Sequence, residues 1–284
     1  MNPFDVFLIN PLMNLLLAYY KILHVLHIPG ALGFAIIFLT VTIRMILWPL
    51  TSSQLRSTQK MAALKPHLDR IKKDHGHDKV RHQQEVSKLY KEHGVNPLAG
   101  CLPLLLQLPV FISLYQVLLK IVQFGQGDFL SSINSRIYFS FLELTEIPRT
   151  KFIGFDLSTK PNQWKEVGIL ILLIPILTGV LQFIQSKMMG ASQSVPKQTP
   201  KQEQKTKEGK DKKDESMEDT MAQMQGQMVF LMPAMIAFFS YGFPLGLSLY
   251  WNTFTVIGII QQYKIAGAGP LNKYLPEFLR KEPK

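Results

Sequence analysis

The sequence contains few of the features from which catalytic and metal sites are usually built. Its 1 cysteine, Cys101, excludes an internal disulfide. The 7 histidines are scattered, and no Cys/His cluster has the spacing of metal ligands. A glycine-rich phosphate loop, a nucleophile elbow and an acid–base pair are also absent as sequence patterns. We therefore predict that the protein is not an enzyme and that it uses no metal and no cofactor.

The N-terminus lacks the features of a removable targeting segment. The first basic residue is Lys21 and the first arginine is Arg44. Because a secretory signal starts with positive charge and a mitochondrial transit peptide is rich in arginine, we expect neither. Residues 1–28 predict a helix that lies in the membrane interface, since Pro11 and several polar residues interrupt its apolar run. An additional membrane span is the alternative.

Long apolar runs are abundant. Of the 284 residues, 47% are hydrophobic, and several runs approach the about 20 residues that cross a bilayer. They predict an all-α polytopic membrane protein with five transmembrane helices around a hydrophilic groove. The predicted spans are residues 31–50, 98–119, 167–184, 228–243 and 245–260.

The segments between these spans differ in composition. Residues 54–95 predict a cytoplasmic hairpin of two basic amphipathic helices that begins after the first span ends. Residues 120–166 form a mixed extracytoplasmic loop. Residues 187–222 are poor in apolar side chains and predict a disordered cytoplasmic loop, and residues 264–284 form a short basic tail.

The net charge of +11 is distributed as a topology signal. The hairpin, the disordered loop and the tail hold 23 of the 31 Lys and Arg residues, whereas the N-terminal helix and the extracytoplasmic loop hold 7. The positive-inside rule then places the N-terminus outside and the C-terminus in the cytoplasm. The basic residues flank spans, so we predict no direct nucleic-acid binding. A bacterial cytoplasmic (inner) membrane fits the absence of a transit peptide.

Arg44 is the one charge inside the predicted spans. An arginine at this depth costs about 2.5–3.5 kcal/mol on insertion scales, so such residues usually face a bundle interior or a water-filled cavity. Thr40, four residues earlier, lies on the same helical face. Snorkelling towards the interface near Thr51 is the alternative.

Polar side chains form stripes at helical spacing along other spans. A single stripe is explained by helix–helix hydrogen bonds of about 0.6–2 kcal/mol each. Several stripes together with an arginine favour a shared hydrophilic groove. Its predicted residues are Thr40, Arg44, Gln107, Thr178, Gln182, Gln185, Ser248, Asn252 and Thr255.

Methionines recur along one helical face that leads into the fourth predicted span. Such stripes usually serve packing, but flexible thioethers also suit surfaces that meet varied apolar partners. Substrate reception is therefore a hypothesis beside plain packing for Met217, Met221, Met224 and Met228.

Four segments of the chain resemble the YidC/Oxa-type membrane protein insertases, in the same order as in that family. They are TIRMILWPLTSSQLRSTQKMAALKP, NPLAGCLPLLLQLPVFISLY, FIGFDLSTKP with ILLIPILTGVLQFIQSKMM, and LMPAMIAFFSYGFPLGLSLYWNTFTVIGIIQQY. The resemblance implies a five-span bundle whose groove opens to the cytoplasm and to lipid. It also implies that Arg44 is the groove arginine and that Trp251 is a groove aromatic.

The resemblance implies a function as an insertase or chaperone. Short polar segments of substrate proteins would pass through the groove, and their apolar helices would leave into lipid. The implied partners are nascent membrane proteins and the lipid bilayer, with the ribosome and the Sec translocon left open. The alternatives are a small transporter or channel that uses Arg44 as a substrate site, and a chaperone that only shields membrane helices. The spans contain no Asp or Glu for a proton relay, which disfavours the transporter.

Overall fold

A computed structural model describes residues 3–95, 102–122, 129–190, 217–274 and 276–277. The described part is mainly helical, as predicted. In chain order the helices are α1 Asn10–Val25, α2 Ala31–Ala63, α3 Lys65–His75, α4 Lys79–Glu92, α5 Leu102–Val122, α6 Phe129–Asn134, α7 Trp164–Val167, α8 Leu173–Gly190, α9 Met217–Gly242 and α10 Leu245–Ala266.

The remaining elements are short. A π-helical turn, Asp5–Ile9, leads into α1. Strands β1 (Lys151–Phe152) and β2 (Phe155–Asp156) form an antiparallel hairpin between α6 and α7. The 3-10 turns are Ser140–Leu142, Pro161–Gln163, Ile169–Leu172 and Gly269–Tyr274.

Three helical stretches among the described residues are long and apolar enough to cross a membrane. Two shorter apolar helices, within α5 and α9, accompany them. The three long stretches are Asp5–Val25, Ala31–Ala63 and Ile169–Met189.

The N-terminal helix packs against α2. Met13 and Leu16 of α1 and Leu39 of α2 are fully buried in one apolar core. The hydroxyls of Tyr19 and Thr42 lie 2.7 Å apart and hydrogen-bond across the two helices. The helix is thus both amphipathic and long enough to span, so its predicted interfacial position stays a prediction.

The prediction that a separate hairpin helix begins after the first span is wrong. Helix α2 continues through Pro49 to Ala63 without a break. Proline removes one backbone donor, and the hydroxyl of Thr51 donates to the carbonyls of Leu47 and Trp48 at 3.0 and 3.1 Å, which supports the helix next to Pro49. The fall in hydrophobicity after residue 50 predicts where the chain leaves the membrane, but it does not predict where the helix ends.

Helices α3 and α4 form a hairpin within the predicted range 54–95, the first ten residues of which belong to α2. Pro66 stands in the first turn of α3, and the Asp78 side chain caps α4 by accepting from the Arg81 N–H at 3.1 Å. Leu64 and Leu89 form its small apolar core with Val95.

The predicted disordered loop, residues 187–222, overlaps two helices at its ends. Helix α8 extends to Gly190 and α9 begins at Met217, so both ends of that range are helical. Residues 191–216 lie outside the described residues. Helix α10, which contains the predicted fifth span 245–260, continues to Ala266.

Asn14 joins α1 to the segment that follows α6. Its side-chain amide donates to the Arg136 carbonyl at 2.9 Å, and its oxygen accepts from the Tyr138 N–H at 2.8 Å. Arg136 also forms a salt bridge with Asp5 at 3.4 Å. A buried amide with both ends satisfied fixes the position of a loop that has little regular structure of its own.

We predict that Asn14→Ala destabilises this region by about 1–3 kcal/mol, the cost of leaving buried backbone groups unpaired. The measurement is thermal unfolding in detergent, together with protease cleavage between α6 and β1. Ser135→Ala is the control, because Ser135 is exposed and its hydroxyl donates to the nearby Ser132 carbonyl at 3.1 Å. Equal stability of the two variants would contradict the role assigned to Asn14.

Candidate functional site

Arg44 lies between α2 and α10. Arg44 is only 6% exposed. Nε and Nη2 both donate to the carbonyl oxygen of Phe254, at 3.2 and 2.8 Å, and Nη1 donates to Oε1 of Gln261 at 3.4 Å. The guanidinium is therefore fixed against α10 within the helix bundle.

The charge of Arg44 is compensated by dipoles and an aromatic face. Its Cζ lies 3.5 Å from the centroid of the Phe254 ring, which is within the range of a cation–π interaction. Among the described residues, no Asp or Glu forms a salt bridge with Arg44. Within the described part of the chain, the positive charge is consequently solvated by neutral groups.

Gly258 makes the approach of the arginine possible. It stands four residues after Phe254, where a side chain would cover the Phe254 carbonyl on the helix surface. A Cβ at position 258 would collide with Nη2 of Arg44 and with Nε2 of Gln185. Helices α2, α8 and α10 thus converge at this glycine, and Arg44 and Gln185 meet there.

Gln261 is a member of the site that the sequence analysis missed. It is 1% exposed, and its Nε2 is within hydrogen-bond distance of Thr51 Oγ1 at 2.5 Å, the Trp48 carbonyl at 3.2 Å and Ser52 Oγ at 3.3 Å. Its position seven residues after Phe254 places it on the same face of α10, so helical spacing could have indicated it. The main acceptor of the arginine could not be predicted in this way, because it is the backbone carbonyl of Phe254.

Helices α8 and α10 are joined by polar contacts at successive levels. Near one end, the Ser240 hydroxyl of α9 lies 3.4 Å from Thr178 and 3.0 Å from Ser248. One level further on, Nε1 of Trp251 donates to Oε1 of Gln182 at 3.2 Å. Gln185 and Gly258 form the third level.

This order of contacts shows that α8 and α10 run in the same direction. Of the polar residues predicted on α10, Ser248 and Trp251 take part in these contacts, and Asn252 and Thr255 do not appear among them. Ser240, like Gln261, was not predicted to belong to this set.

Two predicted residues bond within their own helix. The Thr40 hydroxyl donates to the Ile36 carbonyl at 2.6 Å, and the Thr255 hydroxyl donates to the Trp251 carbonyl at 2.8 Å. A hydroxyl in this back-bonded arrangement has used its donor. The oxygens of these buried threonines can still accept, but the bonds from Arg44 to described residues go to Phe254 and Gln261.

Several buried amides have atoms without a hydrogen-bond partner among the described residues. They are Oδ1 of Asn252, Oε1 of Gln262, and both Oε1 and Nε2 of Gln54. Buried polar atoms of this kind usually bond to water or to a ligand. Gln54 belongs to α2, the helix of Arg44, and Asn252 and Gln262 belong to α10.

The structure leaves some predicted residues without a description. The side chain of Gln107 lies outside the described residues, although its backbone belongs to α5. The same holds for the four side chains proposed for substrate reception; the backbone of all four belongs to α9. They are Met217, Met221, Met224 and Met228.

Residues 24–270 match a family model described as 60Kd inner membrane protein. The chain belongs to this family. The predicted YidC/Oxa-type membership is therefore confirmed. Together with the apolar helices, the match indicates a multi-pass protein of an inner membrane.

Relatives named "Membrane protein insertase YidC" are similar over most of this chain. The relative from Rickettsia conorii is 34% identical over 237 residues, which cover 83% of this chain and 35% of that protein. The relative from Shewanella halifaxensis is 33% identical over 272 residues, which cover 92% of this chain and 40% of that protein. The chain thus spans well under half the length of these relatives.

A solved structure supports the fold. A crystal structure of an active YidC insertase, with its first transmembrane domain resolved, matches 93% of this chain and 47% of its own chain. The TM-score is 0.53 and the sequence identity is 24%, so the likeness establishes the shared fold.

We predict that Gly258→Ala lowers the thermal stability of the protein in detergent. Alanine favours a helix over glycine by about 0.5–1 kcal/mol, but its Cβ forces Arg44 and Gln185 to move, so that the bonds to Phe254 are lost. Gly242→Ala, which has nothing within 4 Å of the added Cβ, is the control and should be neutral or stabilising. Stabilisation by both substitutions would show that Arg44 does not depend on Gly258.

Proposed function

We propose that this chain is a membrane protein insertase and chaperone, which moves short polar segments of substrate proteins along a hydrophilic groove and releases their apolar helices into lipid. The observation that carries the proposal is the buried guanidinium of Arg44, which has a full charge and no described acidic partner. Such a charge is expensive within a membrane protein and is usually functional.

Arg44 retains the capacity to bind a substrate group. A guanidinium has five N–H donors, and the bonds to described residues use Nε, Nη1 and Nη2 once each. A carboxylate or carbonyl of a passing tail would accept the remaining donors. The present acceptors of Arg44 are a neutral backbone carbonyl and a neutral amide, so a substrate carboxylate would be a stronger acceptor than either.

Buried amide atoms without a described partner support hydrated positions along α2 and α10. Gln54, Asn252 and Gln262 each bury an amide atom without a described partner, and water or a substrate backbone would satisfy them. A hydrated groove shortens the apolar distance that a polar tail must cross, which is about 30 Å in an intact bilayer. No covalent chemistry is required.

The membrane arrangement we propose has the N-terminus outside and the C-terminus in the cytoplasm. The distribution of Lys and Arg supports it. The common direction of α8 and α10 fits five spans in either orientation, because the third and fifth spans of such a protein must run in the same direction. The hairpin α3–α4 and the methionine face of α9 would then receive nascent membrane proteins on the cytoplasmic side. The ribosome and the Sec translocon are further partners that the proposal permits but does not need.

We predict that Arg44→Ala reduces insertion of a single-span substrate with an acidic N-terminal tail by about tenfold or more, since hydrogen bonds to charged groups contribute about 1.5–3 kcal/mol. Arg44→Lys, which keeps the charge, should retain most of the activity. The measurement is protease protection of the tail after reconstitution of the full chain in liposomes.

Thermal unfolding of each Arg44 variant separates loss of function from loss of folding. Normal insertion by a folded Arg44→Ala variant would show that charge pairing is dispensable. A wild-type protein that protects no tail would contradict the insertase proposal and favour a chaperone that only shields helices.

We also predict opposite accessibility for two exposed positions in a Cys101→Ser background. An impermeant maleimide added to intact cells should label Thr145→Cys in the loop after α6, and should label His77→Cys in the hairpin turn only after lysis. The reversed pattern would refute the proposed orientation.

A further inference from the structure

We infer that Gln261 is a positioning residue for Arg44, and that its neutral amide keeps the guanidinium in place without neutralising it, so that the groove favours acidic substrate tails. The inference concerns the same site as the proposed function and rests on it. Gln261 is the residue that holds Arg44 in place while leaving its positive charge unneutralised.

The orientation of the Gln261 amide is dictated by its neighbours. The guanidinium of Arg44 can only donate, and the carbonyl of Trp48 can only accept. The NH₂ group must therefore face Trp48 at 3.2 Å, and Oε1 must face Nη1 of Arg44 at 3.4 Å. A flipped amide would place its NH₂ group against the N–H donors of Arg44 and its oxygen against the carbonyl oxygen of Trp48.

One side chain thus connects two levels of α2. Arg44 is two helical turns from Thr51 along α2, and the Gln261 side chain from α10 contacts both. The contact lies next to Pro49, where α2 lacks one backbone donor. Fixing this stretch to α10 fixes the direction from which the guanidinium reaches the Phe254 carbonyl.

Other side chains cannot fulfil both roles. Glutamate has the same length as glutamine, but its carboxylate would neutralise Arg44 and would face the Trp48 carbonyl with a second acceptor. Methionine has a similar length but donates and accepts almost nothing. Because Gln261 is 1% exposed, water cannot readily replace either contact. The amide is the side chain that holds the cation and leaves its charge in place.

The test compares Gln261→Glu with Gln261→Met in the full chain reconstituted in liposomes. Each variant receives two substrates that differ only in an acidic or a neutral tail. Both variants lose the donor to Trp48; Gln261→Glu keeps an acceptor for Nη1 of Arg44 and adds a negative charge, whereas Gln261→Met removes the acceptor and adds no charge. We expect the acidic-to-neutral insertion ratio to fall to the value of Arg44→Ala in Gln261→Glu, where the charge is neutralised, and to fall less in Gln261→Met, where the contact is lost but the charge of Arg44 remains. Adding Gln261→Glu to Arg44→Ala should change the ratio no further.

Equal ratios in wild type, Gln261→Glu and Gln261→Met, with wild-type insertion intact, would overturn the inference and leave the proposed function standing. Absence of insertion by wild type would overturn the proposed function alone. In that case the contact between Arg44 and Gln261 is still testable by thermal unfolding in detergent, measured for Arg44→Lys, Gln261→Met and the double variant. A double-variant shift in Tm smaller than the two single shifts combined is expected, and strictly additive shifts would refute the positioning role.

Discussion

The arrangement of the described bundle depends on how one buried positive charge is accommodated. A guanidinium removed from water needs acceptors within hydrogen-bond distance, and the cost of leaving it unpaired is several kcal/mol. Here the acceptors are a helix carbonyl and one amide, with an aromatic ring beneath the charged plane. None of these groups carries a negative charge, so the site remains electropositive while its donors are partly satisfied.

Accommodating that charge constrains the surrounding helices. Gly258 must lack a side chain so that Arg44 and Gln185 can both approach α10. Helix α2 must remain helical beyond Pro49 so that Arg44 and Thr51 present themselves to the same side chain, Gln261. The polar contacts between α8 and α10 then continue the same seam away from the arginine. One requirement, solvation of a cation by neutral groups, thus links the three helices.

Much of this could be predicted from the order of residue types. Arg44 was recognisable because a lone charge in an apolar run is costly, and the stripe containing Gln182 and Gln185 followed from helical spacing. Helix ends were less predictable, because α2, α8 and α10 continue past the points where hydrophobicity falls. Backbone hydrogen bonding, not transfer to the membrane, decides where a helix stops.

The helical class, the family, the apolar segments and the charge at position 44 could all be predicted from the chain, because they depend on composition and on the spacing of residues. Which groups solvate that charge depends on how the helices pack. The Phe254 carbonyl is present in any sequence and carries no signal, and Gln261 differs from its neighbour Gln262 only in the face of α10 on which it lies. A contact between α2 and α10 joins residues more than 200 positions apart, and its geometry follows from how the helices pack, which local spacing does not encode.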